Sequence, residues 1–205
     1  MKLVRIAILF FACPTTLAVT CHAQSLSTAS KGAEVSVFGG YAPGEPDYGP
    51  HTLKGFSAGG DFTLFPRFFL KPSFEARGNM LDGTESTEKS VLVGPRVQLD
   101  PRRYPHLHPY GDFLIGGGEI LYHPAPLVGY TGDRARIYSF GGGLDIDLPH
   151  HFSARFDFQQ QSWNFGQNGF LKPDGSNYTL APKTVMLGVK YTVPFRFLKR
   201  ATDYR

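Results

Sequence analysis

Cysteine is scarce in this sequence, and the little there is lies at one end: Cys13 and Cys21 are the only two. If the first two dozen residues are removed, nothing remains for a disulfide, and thiol chemistry is excluded with it. Long apolar runs are also missing. The longest, residues 6–12, is too short to cross roughly 30 Å of hydrocarbon as a helix. Helical periodicity is hard to find in any useful window, which excludes a bundle of helices. Charge is sparse, at 19 % of residues, and the formal balance of +4 is small. No basic run or recognition motif stands out, which points away from nucleic acid.

The start of the chain has the features of an export signal. Lys2 and Arg5 precede the apolar run, and Cys21, His22 and Ala23 bring small residues to a cleavage site. Cleavage after Ala23 would leave residues 24–32 as a short polar lead-in. The remaining chain is rich in glycine and in phenylalanine plus tyrosine, with 24, 18 and 10 copies over the whole sequence. That composition suits many closely packed strands with aromatic faces.

From Ala33 onward the pattern has a period of two. Phe152, Ala154, Phe156 and Phe158 alternate with Ser153, Arg155, Asp157 and Gln159, and only a strand separates such sets. The same alternation runs through 136–148, 184–193, 68–77 and 56–64. It is weaker through 34–41, 90–99 and 108–121, where the register of the last segment is open. Pro72, Pro95 and Pro109 each remove a ladder donor. The count is eight strands, with short connections alternating with longer ones at 42–51, 78–88, 122–135 and 162–182.

Alternation alone does not say which row faces a core. Three features favour apolar rows facing lipid. The polar rows combine small residues with charges of both signs: Asp61, Lys71, Glu75, Arg77, Arg96, Asp145, Asp147, Arg155, Asp157 and Lys190. Such charges would have to pair inside a narrow lumen. Aromatic residues gather toward strand ends, among them Tyr41, Phe62, Tyr110, Tyr122, Tyr138, Phe152, Phe158, Tyr191 and Phe195, as two interfacial girdles would. Closure into a barrel would remove every unpaired edge.

The stretch from Glu34 to Tyr41, the Val93 to Arg96 segment, Pro109 and Tyr110 leading into a glycine-rich strand, and the last strand from Val185 to Phe197 together resemble the small eight-stranded outer-membrane barrels of the OmpA/OmpX type. The resemblance covers about residues 33–197 and carries no catalytic fingerprint. It implies an all-β, eight-stranded antiparallel up-and-down transmembrane barrel, exported to a bacterial outer membrane, with residues 198–205 as a basic tail. It further implies a non-enzymatic, monomeric protein with an envelope-structural or surface-interaction role. Its partners would be outer-membrane lipids, the barrel-assembly machinery and a surface ligand held by the outer loops. No cofactor is expected. Two alternatives stay open: a barrel enzyme acting on lipid acyl chains, and a soluble periplasmic barrel holding an apolar ligand.

Local chemistry is thin. His106 with His108, and His150 with His151, are spaced for metal binding, but no carboxylate cluster accompanies them. A lipid-acting enzyme would need a Ser, His and acid set, for which Ser139, His123 and Glu119 are the nearest candidates. A lumen of eight strands carrying Arg77, Arg96 and Arg155 is expected to be plugged, not open.

Overall fold

The computed structural model describes residues 32–47, 52–64, 69–101, 103–123, 132–165 and 178–196. The expected signal at 1–23, the turn at Pro66 and Arg67, and the tail at 198–205 lie outside them. Among the described residues nine strands form, in chain order: β1 (Gly32–Glu45), β2 (Leu53–Leu64), β3 (Leu70–Asp82), β4 (Ser86–Leu99), β5 (Leu107–Tyr122), β6 (Gly132–Asp147), β7 (Phe152–Phe165), β8 (Tyr178–Leu180) and β9 (Lys183–Arg196). Every pairing among them is antiparallel. The first seven pair in sequence, β9 bridges β7 and β1, and the sheet closes on itself. Eight strands therefore make the barrel. The short β8 pairs with the end of β7 beyond the start of β9.

The stagger follows from the register. Starting at Glu34, partners run through Thr63, Ser73, Arg96, Asp112, Gly141, Gln159 and Thr184, and return to β1 at Gly44, ten residues further along. With a rise of ~3.3 Å per residue and ~4.8 Å between strands, that stagger tilts the strands by about 40°.

Around the lower body, apolar side chains point out and polar ones point in. Phe56 and Phe140 are each 70 % exposed, Leu187 58 % and Val189 50 %, whereas Glu75 is 0 %, Arg96 1 %, Arg155 1 % and Asp157 1 % exposed. The soluble alternative expected the opposite arrangement, with the apolar rows inside and the charged rows outside.

Several expectations change at the strand ends. The stretch 78–88 is not a loop, because β3 runs to Asp82 and β4 starts at Ser86. The other long connections shrink too: β1 reaches Glu45, β6 starts at Gly132 and β7 reaches Phe165. Tyr110 does not join an outer girdle; it is 6 % exposed and lies within the lumen. Tyr122 shares its inward row. The prolines are accommodated without a shift of register. Pairing of β4 with β5 lapses at Gly94 and Pro95, then resumes in phase from Val93 and Ile115 to Arg96 and Asp112.

The reason for the longer strands is a change of polarity along them. Near the long-loop rim, Glu119, Arg134, Arg136 and Asn164 lie on the outward rows. Ile120, Ala135, Ile137, Trp163 and Phe165 lie inward and are buried. Alternation persists there, but the two rows exchange character. Across the lumen a second buried apolar group joins Phe38, Ala42, Leu53, Leu81 and Met186.

Candidate functional site

The middle of the lumen is the chemically dense part of the molecule. Inward rows of β2, β3, β4, β5, β6, β7 and β9 converge there because each strand alternates and the ten-residue stagger brings their polar positions to similar heights. Glu75 on β3 is the hub. One of its oxygens accepts from Arg77 Nε at 2.8 Å and Nη2 at 2.5 Å, and the other from Arg155 Nη2 at 2.7 Å. Arg77 also grips Asp157 through two hydrogen bonds of 2.6 and 3.0 Å. Such a bidentate grip fixes orientation as well as charge.

Tyr110 stands between these pairs. Its hydroxyl donates to Asp157 at 2.5 Å and accepts from Arg155 Nε at 2.8 Å. Its ring lies under the Arg96 guanidinium at 3.9 Å, while Arg155 lies over the Phe38 ring at 3.8 Å. Room for this ring comes from glycine: a Cβ at Gly143 would lie 2.6 Å from the Tyr110 hydroxyl. A second layer toward the short-turn rim joins Arg96 to Asp145 at 2.7 Å and to Asp61 at 3.3 Å. Lys190 reaches the same two carboxylates at 3.1 and 3.4 Å.

A third, neutral-to-acidic layer lies toward the long-loop rim. Gln159 donates to both oxygens of Asp112 at 3.0 Å and accepts from Ser139 at 2.7 Å. In the charged layers each guanidinium touches more carboxylates than it can meet in line. Arg96 Nε and Nη1, Arg155 Nη1 and Asp61 Oδ2 form no hydrogen bond, yet all sit in ion pairs of 3.3 to 3.7 Å. Charge neutrality, with fewer directed bonds, holds those layers together.

Of the ten residues expected in the lumen, eight meet in these layers: Asp61, Glu75, Arg77, Arg96, Asp145, Arg155, Asp157 and Lys190. Lys71 and Asp147 sit apart, at the short-turn rim. Lys71 pairs with Asp100 at 2.9 Å, and Asp147 accepts from His108 Nε2 at 2.9 Å and Ser153 at 3.1 Å. Sequence reasoning missed Tyr110, Asp112, Gln159 and Phe38. The first two lie in the strand whose register was open, and Gln159 continues the row of Arg155 and Asp157, which was a usable signal.

The histidines do not gather into a metal centre. His108 is inward and buried, His106 is exposed in the turn, and His150 and His151 occupy a turn with φ of 64° and 66°. Among the described residues, no three His, Cys, Asp or Glu groups are placed to hold a metal ion. Nor do Ser139, His123 and Glu119 form a catalytic set. Ser139 is inside on Gln159, Glu119 is outside against Arg134 at 3.4 Å, and His123 lies at the rim beside Thr87.

No family model matches the sequence, and no curated protein does so. Among solved structures, Ail, the attachment invasion locus protein of Yersinia pestis, is similar at a TM-score of 0.48 and 14 % identity, over 80 % of this chain and 100 % of that one. Neisserial surface protein A gives 0.46 and 13 %, over 83 % and 100 %. OprG of Pseudomonas aeruginosa gives 0.40 and 14 %, over 80 % and 98 %. These are small eight-stranded outer-membrane barrels, and the likeness is one of fold.

Proposed function

We propose that this chain spans a bacterial outer membrane as a plugged, non-enzymatic barrel with an envelope-structural or surface-interaction role. The observation that carries the reading is the height of the apolar exterior. The outward apolar rows cover residues 56–64 on β2, 91–99 on β4 and 107–117 on β5. At a tilt of about 40° these rows rise roughly 20 to 25 Å, close to the ~25 Å apolar band of a membrane barrel. A water-soluble protein rarely leaves side chains such as Phe56 and Phe140 70 % exposed in one continuous belt.

The interior supports a plug. Arg77, Arg96, Arg155, Tyr110 and Phe38 fill the cross-section in the charged layers, and Leu92, Leu114, Ile137 and Trp163 fill the lumen above them. The partners are then the membrane lipids, the barrel-assembly machinery, and a surface ligand held by the connections at the long-loop rim. The short turns would face the periplasm.

Fractionation with a heat-shift assay tests the reading. The folded protein is expected in the outer-membrane fraction, soluble only with detergent, migrating faster before boiling than after. Recovery in plain buffer without detergent would refute it.

A further inference from the structure

Above the apolar belt the described outward rows turn charged, and the register shows how those charges are matched. Glu45 on β1 stands opposite Lys183 on β9, and Asp82 on β3 opposite Lys54 on β2. Glu119 on β5 stands opposite both Lys89 on β4 and Arg134 on β6. Arg136 differs: its cross-strand neighbours are Gly117 and Asn164, neither of them a carboxylate. The outward rows of β4, β5 and β6 thus set three cations, Lys89, Arg134 and Arg136, against the one carboxylate of Glu119, an excess of two positive charges on one side of the wall.

The two arginines lie two residues apart on one strand face, and both are exposed, the Arg134 side chain by 79 %. The Arg134 hydrogen bond to Glu119 is made by Nε, at 3.4 Å. Beside Arg136 the wall is open: a Cβ on Gly117 would meet nothing nearer than the Ala135 carbonyl at 3.7 Å. With a rise of ~3.3 Å per residue at a tilt of about 40°, Arg136 stands roughly 5 Å and Arg134 roughly 10 Å above Tyr138, the uppermost aromatic residue of that row. The headgroup layer of a bilayer reaches roughly 5 to 8 Å beyond the hydrocarbon on each side, so a belt placed in a membrane brings both guanidinium groups to the level of lipid phosphates. We propose that Arg136 and Arg134 hold the phosphate of an anionic lipid against the wall, with its acyl chains on the apolar row below. A phosphate monoester fits best, because its charge of about −1.5 to −2 and its three acceptor oxygens match the two surplus cations and their forked N–H groups.

This inference rests on the membrane reading, and the test separates the two. The full chain is reconstituted in phosphatidylcholine nanodiscs containing, as a minor lipid, either phosphatidic acid, a monoester, or phosphatidylglycerol, a diester. Failure to enter the nanodiscs would count against the membrane reading; entry without a lipid preference would sink this inference alone. Amide resonances of residues 117, 134, 136 and 164 should shift saturably with phosphatidic acid, at an apparent affinity about fivefold above that for phosphatidylglycerol. This readout needs no variant to fold. Arg136→Gln should abolish the difference between the lipids, Arg136→Lys should keep part of it, and Lys54→Gln, on the far side of the wall, should leave it unchanged. Inorganic phosphate added to the chain in neutral micelles should shift the same resonances only weakly. Equal affinity for the two lipids, an equal loss in Lys54→Gln, or saturation by inorganic phosphate as readily as by phosphatidic acid would overturn the proposal.

Discussion

At the residue scale, Arg155 shows how a buried charge can be essential without being a net gain in stability. It meets Glu75 at 2.7 Å, Tyr110 at 2.8 Å and the Phe38 ring at 3.8 Å, and is 1 % exposed. Taking such a group out of water consumes most of what its contacts return, but removing it alone takes the hydrogen-bond donor from Glu75 Oε2 and leaves the buried layers with one carboxylate in excess. Arg155→Met is expected to destabilise the barrel by about 3–5 kcal/mol in reversible urea unfolding from lipid vesicles. Glu75→Gln should be worse alone than in a chain that already carries Arg155→Met, with a coupling of about 1–3 kcal/mol. Strict additivity of the two changes would show that the contacts do not work as one network. The eight converging charges were legible in the sequence because alternation fixes the face of each residue. Tyr110 and Asp112 were not, because glycines at 111 and 116–118 leave that strand without a contrast between its rows.

Among the elements, the β6 to β7 connection bears local strain. His150 and His151 both have positive φ, 64° and 66°, where an L-residue costs about 1–2 kcal/mol relative to the right-handed region. Glycine removes that cost but adds freedom to the unfolded chain, worth about 0.4–1 kcal/mol in the other direction. His150→Gly is therefore expected to raise stability by about 0.5 kcal/mol or slightly more, read as a higher urea midpoint with an unchanged slope. A lower midpoint would mean that the imidazole makes a contact outweighing the backbone term. The strand cores were readable from period two, but their ends near the long-loop rim were not. In 78–88 and 162–165 the alternation continues while its polarity reverses, with Leu81 and Trp163 inside and Asp82 and Asn164 on the outward row. A reading that follows one apolar face stops where that face turns polar.

For the molecule as a whole, the reversal divides the outer wall into a belt and a collar. With the barrel placed in a membrane as proposed, an arginine on the belt would sit in hydrocarbon and one on the collar would meet water. Phe140→Arg, at a site 70 % exposed, is expected to cost about 2–4 kcal/mol for folding into phospholipid vesicles, whereas Asn164→Arg should cost about 0–1 kcal/mol. Equal costs at the two positions would remove the belt.

The collar also bears on how the barrel holds its place. In a barrel placed as proposed, its outward Lys89, Glu119, Arg134 and Arg136 would have to cross hydrocarbon during insertion, and again for the barrel to slip back. Because the interior beside them is packed with Trp163, Phe165, Ile137 and Ile120, the wall cannot fold inward to hide those charges. The arrangement works like the upset head of a rivet. Passage would be costly in both directions, and once formed the head would resist withdrawal, so the lifetime of the inserted state would rest on a barrier more than on its depth.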